Sequence, residues 1–235
     1  MTRHEWGTAP EFVGPRHELR ERLLLEVLLS AAPGQRVLDA GAGQGTMSLR
    51  LQKLGFEVTS TDASDAAVAV LRQRLAGKVR RADLTALPFA DESFDATVLG
   101  EVLEHVEDDV RALSEVGRVL RPGGVLALSV PADPTLFGPS DKWAGHVRRY
   151  TRPKLLEVCA RAGLVVRRCD PWGFPLSRLY HRHVYERYLD RHGPAQPGRR
   201  HRPLVQLVGL VLQVDRLFVG VERGALGYLA LATRP

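Results

Sequence analysis

The stretch from Val37 to Leu49, VLDAGAGQGTMSL, places three glycines within five positions directly after an apolar run. A glycine-rich turn between a strand and a helix lets a ligand lie against bare backbone at the helix N-terminus. Turns that bind nicotinamide dinucleotides have the pattern G-x-G-x-x-G, but position 46 is threonine here. The turn therefore predicts a ligand of another class, held by a backbone with the spacing Asp39, Gly41, Gly43 and Gly45.

A second stretch, SDKWAGHVRRYT, lies in a connection that is too long for an ordinary loop and follows a predicted strand. Substrates of open α/β sheets meet the carboxyl ends of the strands. Histidine titrates near neutral pH and suits the removal of a proton from a hydroxyl or ammonium group, so His146 is the candidate general base. Two other interpretations stay open. Arg148 and Arg149 bind a carboxylate or phosphate of the substrate, or the segment folds back and packs Trp143 and Tyr150.

Alternating strands and helices must position these residues. HELRERLLLEVLLSAA has helical periodicity, and QRVLDA after it is typical of a short buried strand. Further strands are predicted at FEVTSTD, KVRRAD, FDATVLG and VLALSVP, with helices between most of them and a turn at RPGG. This order predicts a parallel sheet with helices on both faces.

The glycine turn resembles the first motif of the class I S-adenosylmethionine-dependent methyltransferases. The similarity continues in register through TSTDAS, RADLTALPFADESFD, LGEVLEHV and RVLRPGGVLALSVP. The later pattern W-x-x-G-H-x-R-R-Y is similar to a signature of bacterial small-molecule methyltransferases. The resemblance implies an α/β, Rossmann-like fold with a doubly wound, mostly parallel, seven-stranded sheet. It also implies one domain over 1–235, with an N-terminal helical cap at 1–34 and a helical insertion at 171–222 before the last strand.

The resemblance further implies how S-adenosyl-L-methionine, and its product S-adenosyl-L-homocysteine, would be bound. Asp62 would accept both ribose hydroxyls, and Asp39 would lie near the methionine ammonium. Asp83 would face the adenine amino group, with Leu84 beside the ring. Taken singly, Asp62 also suits a helix cap and Asp83 a turn. The implied cofactor-binding residues are Asp39, Gly41, Ala42, Gly43, Gly45, Asp62, Ala63, Asp83, Leu84 and Glu101.

The function that follows is methyl transfer to an oxygen or nitrogen of a small-molecule acceptor, such as a natural-product or glycan-pathway intermediate. Two alternatives remain. One is a non-catalytic regulatory protein that keeps the cofactor pocket, and the other is a nicotinamide-dependent oxidoreductase, which Thr46 disfavours. His105 is expected to pack or to cap a helix. Trp6, Phe12 and His17 precede the first strand and are candidates for a lid over the cofactor.

The composition, with 44% hydrophobic and 26% charged residues among 235, is that of a globular protein with one substantial core. Cys159 and Cys169 have neither disulfide nor zinc spacing, so both are expected in the core and no metal site is predicted. The opening residues MTRHEWGTAPEF contain no apolar signal region, which predicts a cytoplasmic location.

The formal net charge is +6, and arginine is concentrated in HVRRYTRPK, VRRC and PGRRHRP. These stretches would attract an anionic substrate, a membrane surface or nucleic acid, or they form only a solvated, arginine-rich surface. No nucleic-acid-binding module is recognisable, and no apolar run approaches the roughly 18 residues of a membrane span. The expected partner is therefore a small-molecule acceptor, without nucleic acid or stable membrane insertion, bound by a monomer or homodimer. The apolar helix predicted at 204–219 suits core packing, a dimer seam or an interfacial helix that reaches a lipid-linked substrate.

Overall fold

The computed structural model describes residues 15–31, 34–187, 191 and 202–235, without the side chains of residues 202–205. Within these residues, seven strands form one sheet in the order β3-β2-β1-β4-β5-β7-β6. β7 is antiparallel to β5 and β6, and the other pairs are parallel. The predicted doubly wound, mostly parallel sheet is confirmed. The strands are β1 (Arg36–Ala40), β2 (Glu57–Asp62), β3 (Lys78–Arg81), β4 (Phe94–Gly100), β5 (Leu120–Pro131), β6 (Val165–Trp172) and β7 (Gly227–Thr233).

Helices connect these strands, and two of them lie in the predicted insertion between β6 and β7. The α-helices are α1 (Pro15–Ser30), α2 (Thr46–Lys53), α3 (Asp65–Arg74), α4 (Asp109–Val119), α5 (Pro139–Ala144), α6 (Arg152–Arg161), α7 (Leu176–Tyr180) and α8 (Arg202–Leu212). Short 3-10 turns lie at Leu103–His105, Pro134–Leu136 and Gln213–Phe218, and a π turn lies at His181–Tyr185.

The core consists of two apolar clusters on opposite faces of the sheet. Consecutive strand residues such as Val37 and Leu38 belong to different clusters, because side chains alternate across a strand. Helices α1 and α2 contribute to one cluster, and α4 and α6 contribute to the other. Cys159 and Cys169 are buried as free thiols, as predicted. Coverage of both faces explains why the strands read as nearly continuous apolar runs.

The RPGG segment departs from its predicted role as a plain turn before the fifth strand. It lies inside β5, where Phe94 pairs with Leu120 and Ala96 pairs with Val125. The extra residues of β5 loop out as a bulge, and Gly123 supplies the positive φ of 74° that this irregularity uses. The bulge lies at the amino end of β5, away from the carboxyl edge of the sheet.

Helix α8 is buried on one side only. It packs against α1, and Leu212 at its end is 2% exposed. Leu210 of α8, by contrast, is 69% exposed, and Leu217 on the 3-10 turn that follows is 83% exposed. Core packing therefore accounts for part of this apolar surface and leaves the dimer-seam and interfacial interpretations open. Among the helices that the structure describes, each is too short or too polar to cross a bilayer.

Candidate active site

The glycine turn between β1 and α2 depends on left-handed backbone. Gly41, Gly43 and Gly45 have φ values of 72°, 53° and 80°. A Cβ atom at Gly41 would lie 2.5 Å from Cγ2 of Val102, and one at Gly45 would lie 2.8 Å from Cδ2 of Leu71. Side chains are thus excluded at these two positions partly by the protein's own packing. The backbone of this turn, at the carboxyl ends of β1 and β2, therefore has no side chains over it at Gly41 and Gly45.

Asp62, at the end of β2, joins this turn to the next helix. Its Oδ2 accepts a hydrogen bond of 2.9 Å from the Gly43 backbone N–H, and its Oδ1 accepts one of 2.9 Å from the Ser64 N–H. The side chain that caps α3 is that of Ser64, which accepts from the Ala67 N–H. Each carboxylate oxygen carries a second lone pair, so Asp62 retains acceptor capacity for a diol.

Asp39, at the end of β1, is 3% exposed. Its Oδ2 accepts a hydrogen bond of 2.5 Å from Ser48 Oγ, which lies 2.7 Å from Ser60 Oγ. Burial raises the pKa of Asp39 to about 7, the charges of Glu21 and Asp62 add to the increase, and the Ser48 hydrogen bond opposes it. A buried carboxyl of this kind is stabilised as an anion by a nearby cation. Asp39 therefore suits the ammonium group of a methionine moiety.

Asp83 and Leu84 follow β3 and lie side by side. Asp83 Oδ1 accepts hydrogen bonds of 2.8 Å from the Thr85 N–H and from Thr85 Oγ1, which lower the pKa of Asp83. The turn-forming role of Asp83 is therefore realised, while the adenine contact stays a prediction. Leu84 is 8% exposed. Ala63, after β2, is exposed, and its carbonyl accepts a hydrogen bond of 3.0 Å from Arg81 Nε.

Glu101 directly follows β4 with a φ of 59°, a left-handed conformation that is uncommon outside glycine. Its N–H donates to the Ser129 carbonyl at 3.1 Å, which ties the end of β4 to β5. Its Oε2 lies 3.7 Å from Arg20 Nη1 of α1. Strained backbone of this kind is concentrated at functional sites.

The predicted lid is represented in the structure by His17 alone, because Trp6 and Phe12 lie outside the described residues. His17 Nδ1 lies 2.8 Å from Arg20 Nη2, and its Nε2 lies 3.0 Å from Glu21 Oε1. Through Arg20, this part of α1 reaches Glu101. The helix therefore borders the cofactor side of the sheet edge, as a lid would require.

Asp141 of α5 organises the segment that contains His146. The Asp141 carboxylate is buried and accepts from the Gly138 N–H at 2.9 Å. Its Oδ1 lies 2.7 Å from His146 Nδ1, and Arg149 donates to both of its oxygens at 2.9 and 3.0 Å. Burial alone would raise the pKa of Asp141, but the hydrogen bonds from His146 and Arg149 lower it to about 2. Arg149 is itself buried and also donates to the Ala132 carbonyl.

Arg148 and Tyr150 turn toward a different carboxylate, that of Asp109 in α4. Arg148 Nη1 lies 2.6 Å from Asp109 Oδ2, and the Tyr150 hydroxyl donates to the same oxygen at 3.0 Å. Tyr150 is completely buried, whereas Trp143 is half-buried. His146 and Arg149 thus pair with Asp141, whereas Arg148 and Tyr150 pair with Asp109. Burial of Tyr150 agrees with the interpretation in which this segment packs Trp143 and Tyr150, and the His146 side chain is 14% exposed.

Two side chains that sequence reasoning left outside the site approach His146. The His105 and His146 rings meet edge to face with centroids 4.7 Å apart, and His146 Nε2 lies 3.7 Å from Glu104 Oε1. Glu104 is fully buried, and its two carboxylate oxygens have no hydrogen-bond partner among the described residues. Burial and the charge of Glu101 raise the pKa of Glu104 well above its ordinary value. The LEH triplet in LGEVLEHV was the available signal, but its burial is not visible in the sequence.

Comparison with known proteins matches the part of the sheet from β1 to β5, which carries the glycine turn. Residues 38–128 match a family model described as a methyltransferase domain. Over 127 residues the chain is 42% identical to the demethylmenaquinone methyltransferase of Renibacterium salmoninarum, with 51% of each chain covered. The chain is thus similar to class I S-adenosylmethionine-dependent methyltransferases over about half of its length. It spans about half the length of the curated relatives that it matches.

Solved structures with the same fold cover nearly the whole of this chain. An S-adenosylmethionine-dependent methyltransferase from Mesorhizobium loti has a TM-score of 0.62 and 21% identity, covering 92% of this chain and 98% of that one. The [4+2]-cyclase SpnF has a TM-score of 0.64 and 23% identity, covering 100% and 87%. At these identities the likeness shows the fold alone. Because a cyclase shares it, the activity must be argued from the site.

The methyltransferase domain's cofactor is S-adenosylmethionine, and the residues at the sheet edge fit it. Asp39 is a buried carboxyl whose ionised form needs a cation, as the methionine part provides. Asp62 has lone pairs left for the ribose hydroxyls. The left-handed glycines leave bare backbone between these two carboxylates.

Proposed function

We propose that this protein transfers a methyl group from S-adenosylmethionine to an oxygen or nitrogen of a small-molecule acceptor. The observation that carries the proposal is the position of Glu101. It belongs to the implied cofactor track and directly follows β4, and Glu104, three residues later, has its Oε1 3.7 Å from His146 Nε2. The cofactor residues and the acceptor candidates therefore meet at one point of the sheet edge, after β4.

When bound, S-adenosylmethionine supplies an electrophilic methyl group on a positively charged sulfur. The protein's share of the work is to position the acceptor, because an in-line nucleophile needs little covalent help. Arg149, Asp141 and Tyr150 hold the segment after β5 rigidly against the body of the domain. That rigidity lets His146 keep one orientation toward the acceptor.

The general-base role of His146 stays a prediction, and the Asp141 contact supports it. A carboxylate at Nδ1 orients the imidazole and favours the tautomer with its proton on Nδ1. Nε2 is then the nitrogen available to take a proton from an acceptor hydroxyl or ammonium. Arg148 is the candidate for reading an anionic acceptor group, although it already pairs with Asp109.

The exposed apolar surface of α8 and of the 3-10 turn after it supports acceptors that have an apolar part. The R. salmoninarum relative is named for demethylmenaquinone, and Leu207, Leu210 and Leu217 are each more than half exposed here. The cytoplasmic location, the absence of nucleic-acid partners and the monomeric or dimeric state stay predictions. Size-exclusion chromatography with light scattering tests the last of these.

Two measurements test the methyl-transfer proposal. Calorimetry should detect binding of S-adenosylhomocysteine, and the melting temperature should rise with its concentration by mass action, with NAD as the negative control. Metabolite extracts incubated with the protein and isotope-labelled S-adenosylmethionine should then yield a methylated product by mass spectrometry. Binding without any turnover would favour the regulatory alternative. No binding at millimolar ligand would contradict the proposal.

A further inference from the structure

We propose that Glu104, His105 and His146 form a site for one divalent transition-metal ion, which holds and activates a hydroxyl group of the acceptor. The metal site is argued from the structure of the cluster. Its part in activating the acceptor rests on the proposed methyl transfer. Two imidazoles with one carboxylate suit ions such as Zn²⁺, Co²⁺ or Fe²⁺.

The three side chains converge from two separate elements. Glu104 and His105 lie on the 3-10 turn after β4, and His146 follows α5 in the connection after β5. One ligand atom from each residue lies within 4.8 Å of the other two. A tetrahedral ion with bonds of about 2.1 Å needs its ligand atoms about 3.4 Å apart, and His146 Nε2 is already 3.7 Å from Glu104 Oε1. Small side-chain rotations complete the geometry.

The strongest sign of a missing partner is the Glu104 carboxylate. It is 0% exposed, and in the part of the chain that the structure describes neither of its oxygens has a hydrogen-bond partner. Buried carboxylates are normally paired, hydrogen-bonded or bound to a metal. Oε1 of Glu101, just before this turn, is a third buried acidic oxygen without a hydrogen-bond partner among the described residues. Three unsatisfied acidic oxygens near two imidazoles make a site that a cation would stabilise.

The contact behind His146 matches the usual support of a metal ligand. Histidines that bind metals generally donate their second ring N–H to a carboxylate or carbonyl, which fixes the ring orientation. His146 Nδ1 lies 2.7 Å from Asp141 Oδ1, and Arg149 and the Gly138 N–H hold that carboxylate in place. Nε2 is thereby directed toward Glu104 and His105.

Three protein ligands leave an open position for the acceptor. A hydroxyl bound there ionises more easily, as water does when Zn²⁺ lowers its pKa from about 15.7 to about 7. The O–H bond breaks, its electron pair remains on oxygen, the proton passes to solvent water and the ion keeps its oxidation state. With the ion bound, His146 Nε2 serves as a ligand in place of acting as the base.

Metal binding is tested on the full chain after chelator treatment. Titration calorimetry with Zn²⁺, and visible absorption with Co²⁺, should show one ion per chain. Loss of a residue that only supports a metal ligand weakens metal binding by about 10- to 100-fold. Glu104→Gln and His146→Asn should each weaken it by more than that. His183→Asn, which changes an exposed histidine on the π turn, should bind like wild type. Equal affinity in all four proteins, or no binding at millimolar Zn²⁺, would overturn the site.

Thermal unfolding separates loss of the site from loss of the fold. Glu104→Gln keeps the shape of the side chain and removes a buried charge, so without metal it should melt at or above the wild-type temperature. Added Zn²⁺ should raise the melting temperature of wild type and leave that of Glu104→Gln unchanged. A Glu104→Gln protein that is equally stabilised by Zn²⁺ would place the ion elsewhere on the chain and overturn the proposal.

The assay also distinguishes failure of the metal site from failure of the methyltransferase proposal. Full methyl transfer by the chelator-treated protein would refute metal activation and leave the proposed function standing. Metal binding together with S-adenosylhomocysteine binding, but without transfer to any acceptor, would support the site and refute the activity. Both proposals are supported if Zn²⁺ or Co²⁺ restores methyl transfer in wild type but not in Glu104→Gln.

Discussion

The two sides of the sheet's carboxyl edge are built by different means. On the cofactor side, β1, β2 and the turns after them present backbone, held by left-handed glycines and by Asp62, which accepts from main-chain N–H groups. On the acceptor side, the segment after β5 is held by buried charged side chains, with Arg149 on Asp141.

This contrast explains which side is recognisable in other proteins. The matched methyltransferase model covers 38–128, which includes the glycine turn and ends within β5, before the segment with His146. A backbone site needs glycine and aspartate at fixed local spacing, so it leaves a short motif in the sequence. A site made of buried ion pairs also needs partners from distant elements, such as Asp109 for Arg148, so its short motif W-x-x-G-H-x-R-R-Y does not show which partners its residues meet.

The largest effect should come from the acceptor side, at His146. Whether it takes the proton or binds the ion, His146→Ala removes the group that assists ionisation of the acceptor. We expect kcat to fall by about 10² to 10⁴, the usual contribution of such a group. The Kd for S-adenosylhomocysteine, measured by calorimetry, should stay unchanged. If His146→Ala keeps most of its kcat, His146 does not assist ionisation of the acceptor, and the two sides of the sheet edge do not differ in this way.

Arg149→Ala should act on stability, because it leaves the Asp141 carboxylate buried without its cation. Breaking a buried ion pair on one side costs about 3 to 5 kcal/mol of unfolding free energy. Chemical denaturation measures this loss. Arg148→Ala is the matched control, since Arg148 is partly exposed and should cost less. Equal costs for the two variants would argue against Asp141 as the anchor of the segment.

Asp62→Ala tests the cofactor side in the same way. It should weaken S-adenosylhomocysteine binding by about 1.5 to 3 kcal/mol, because hydrogen bonds to a charged acceptor are lost. Asp65→Ala, three residues later with its carboxylate 79% exposed, is the control and should bind normally. Calorimetry on both folded variants gives the comparison. Unchanged affinity in Asp62→Ala would place the ribose elsewhere.

The smallest effect should be a pH dependence of cofactor binding through Asp39. Its pKa of about 7 lies above the ordinary value, so the folded protein holds a proton that the unfolded chain releases between about pH 4 and 7. Because the unfolded chain ionises in this window while the folded form stays protonated, the free energy of unfolding falls as pH rises through it. An ammonium group beside Asp39, such as that of the homocysteine part of the ligand, favours the ionised form.

Affinity for S-adenosylhomocysteine should therefore fall as pH drops below 7, by up to about tenfold per unit. Asp39→Asn should flatten this dependence and bind more weakly than wild type at pH 8. Calorimetry between pH 5.5 and 8 measures both proteins. If the affinities of wild type and Asp39→Asn depend on pH in the same way, Asp39 does not contact the ammonium group.

The sequence by itself determined the sheet, the glycine turn and the place of Asp62, because period-2 and helical patterns and a strand-turn-helix motif are local properties of the chain. It did not reveal the bulge that takes RPGG into β5, since that irregularity depends on pairing with β4.

Only the tertiary structure decided which partners the candidate acceptor residues have. Glu104 and His146 are far apart in the chain, and their meeting depends on β4 and β5 lying side by side in the sheet. Likewise, the sequence leaves Arg149 open as an anion reader, and only the structure shows that its buried guanidinium pairs with Asp141. Burial and the choice of partner set the chemistry of a charged side chain, and both arise from packing between elements that the local sequence does not encode.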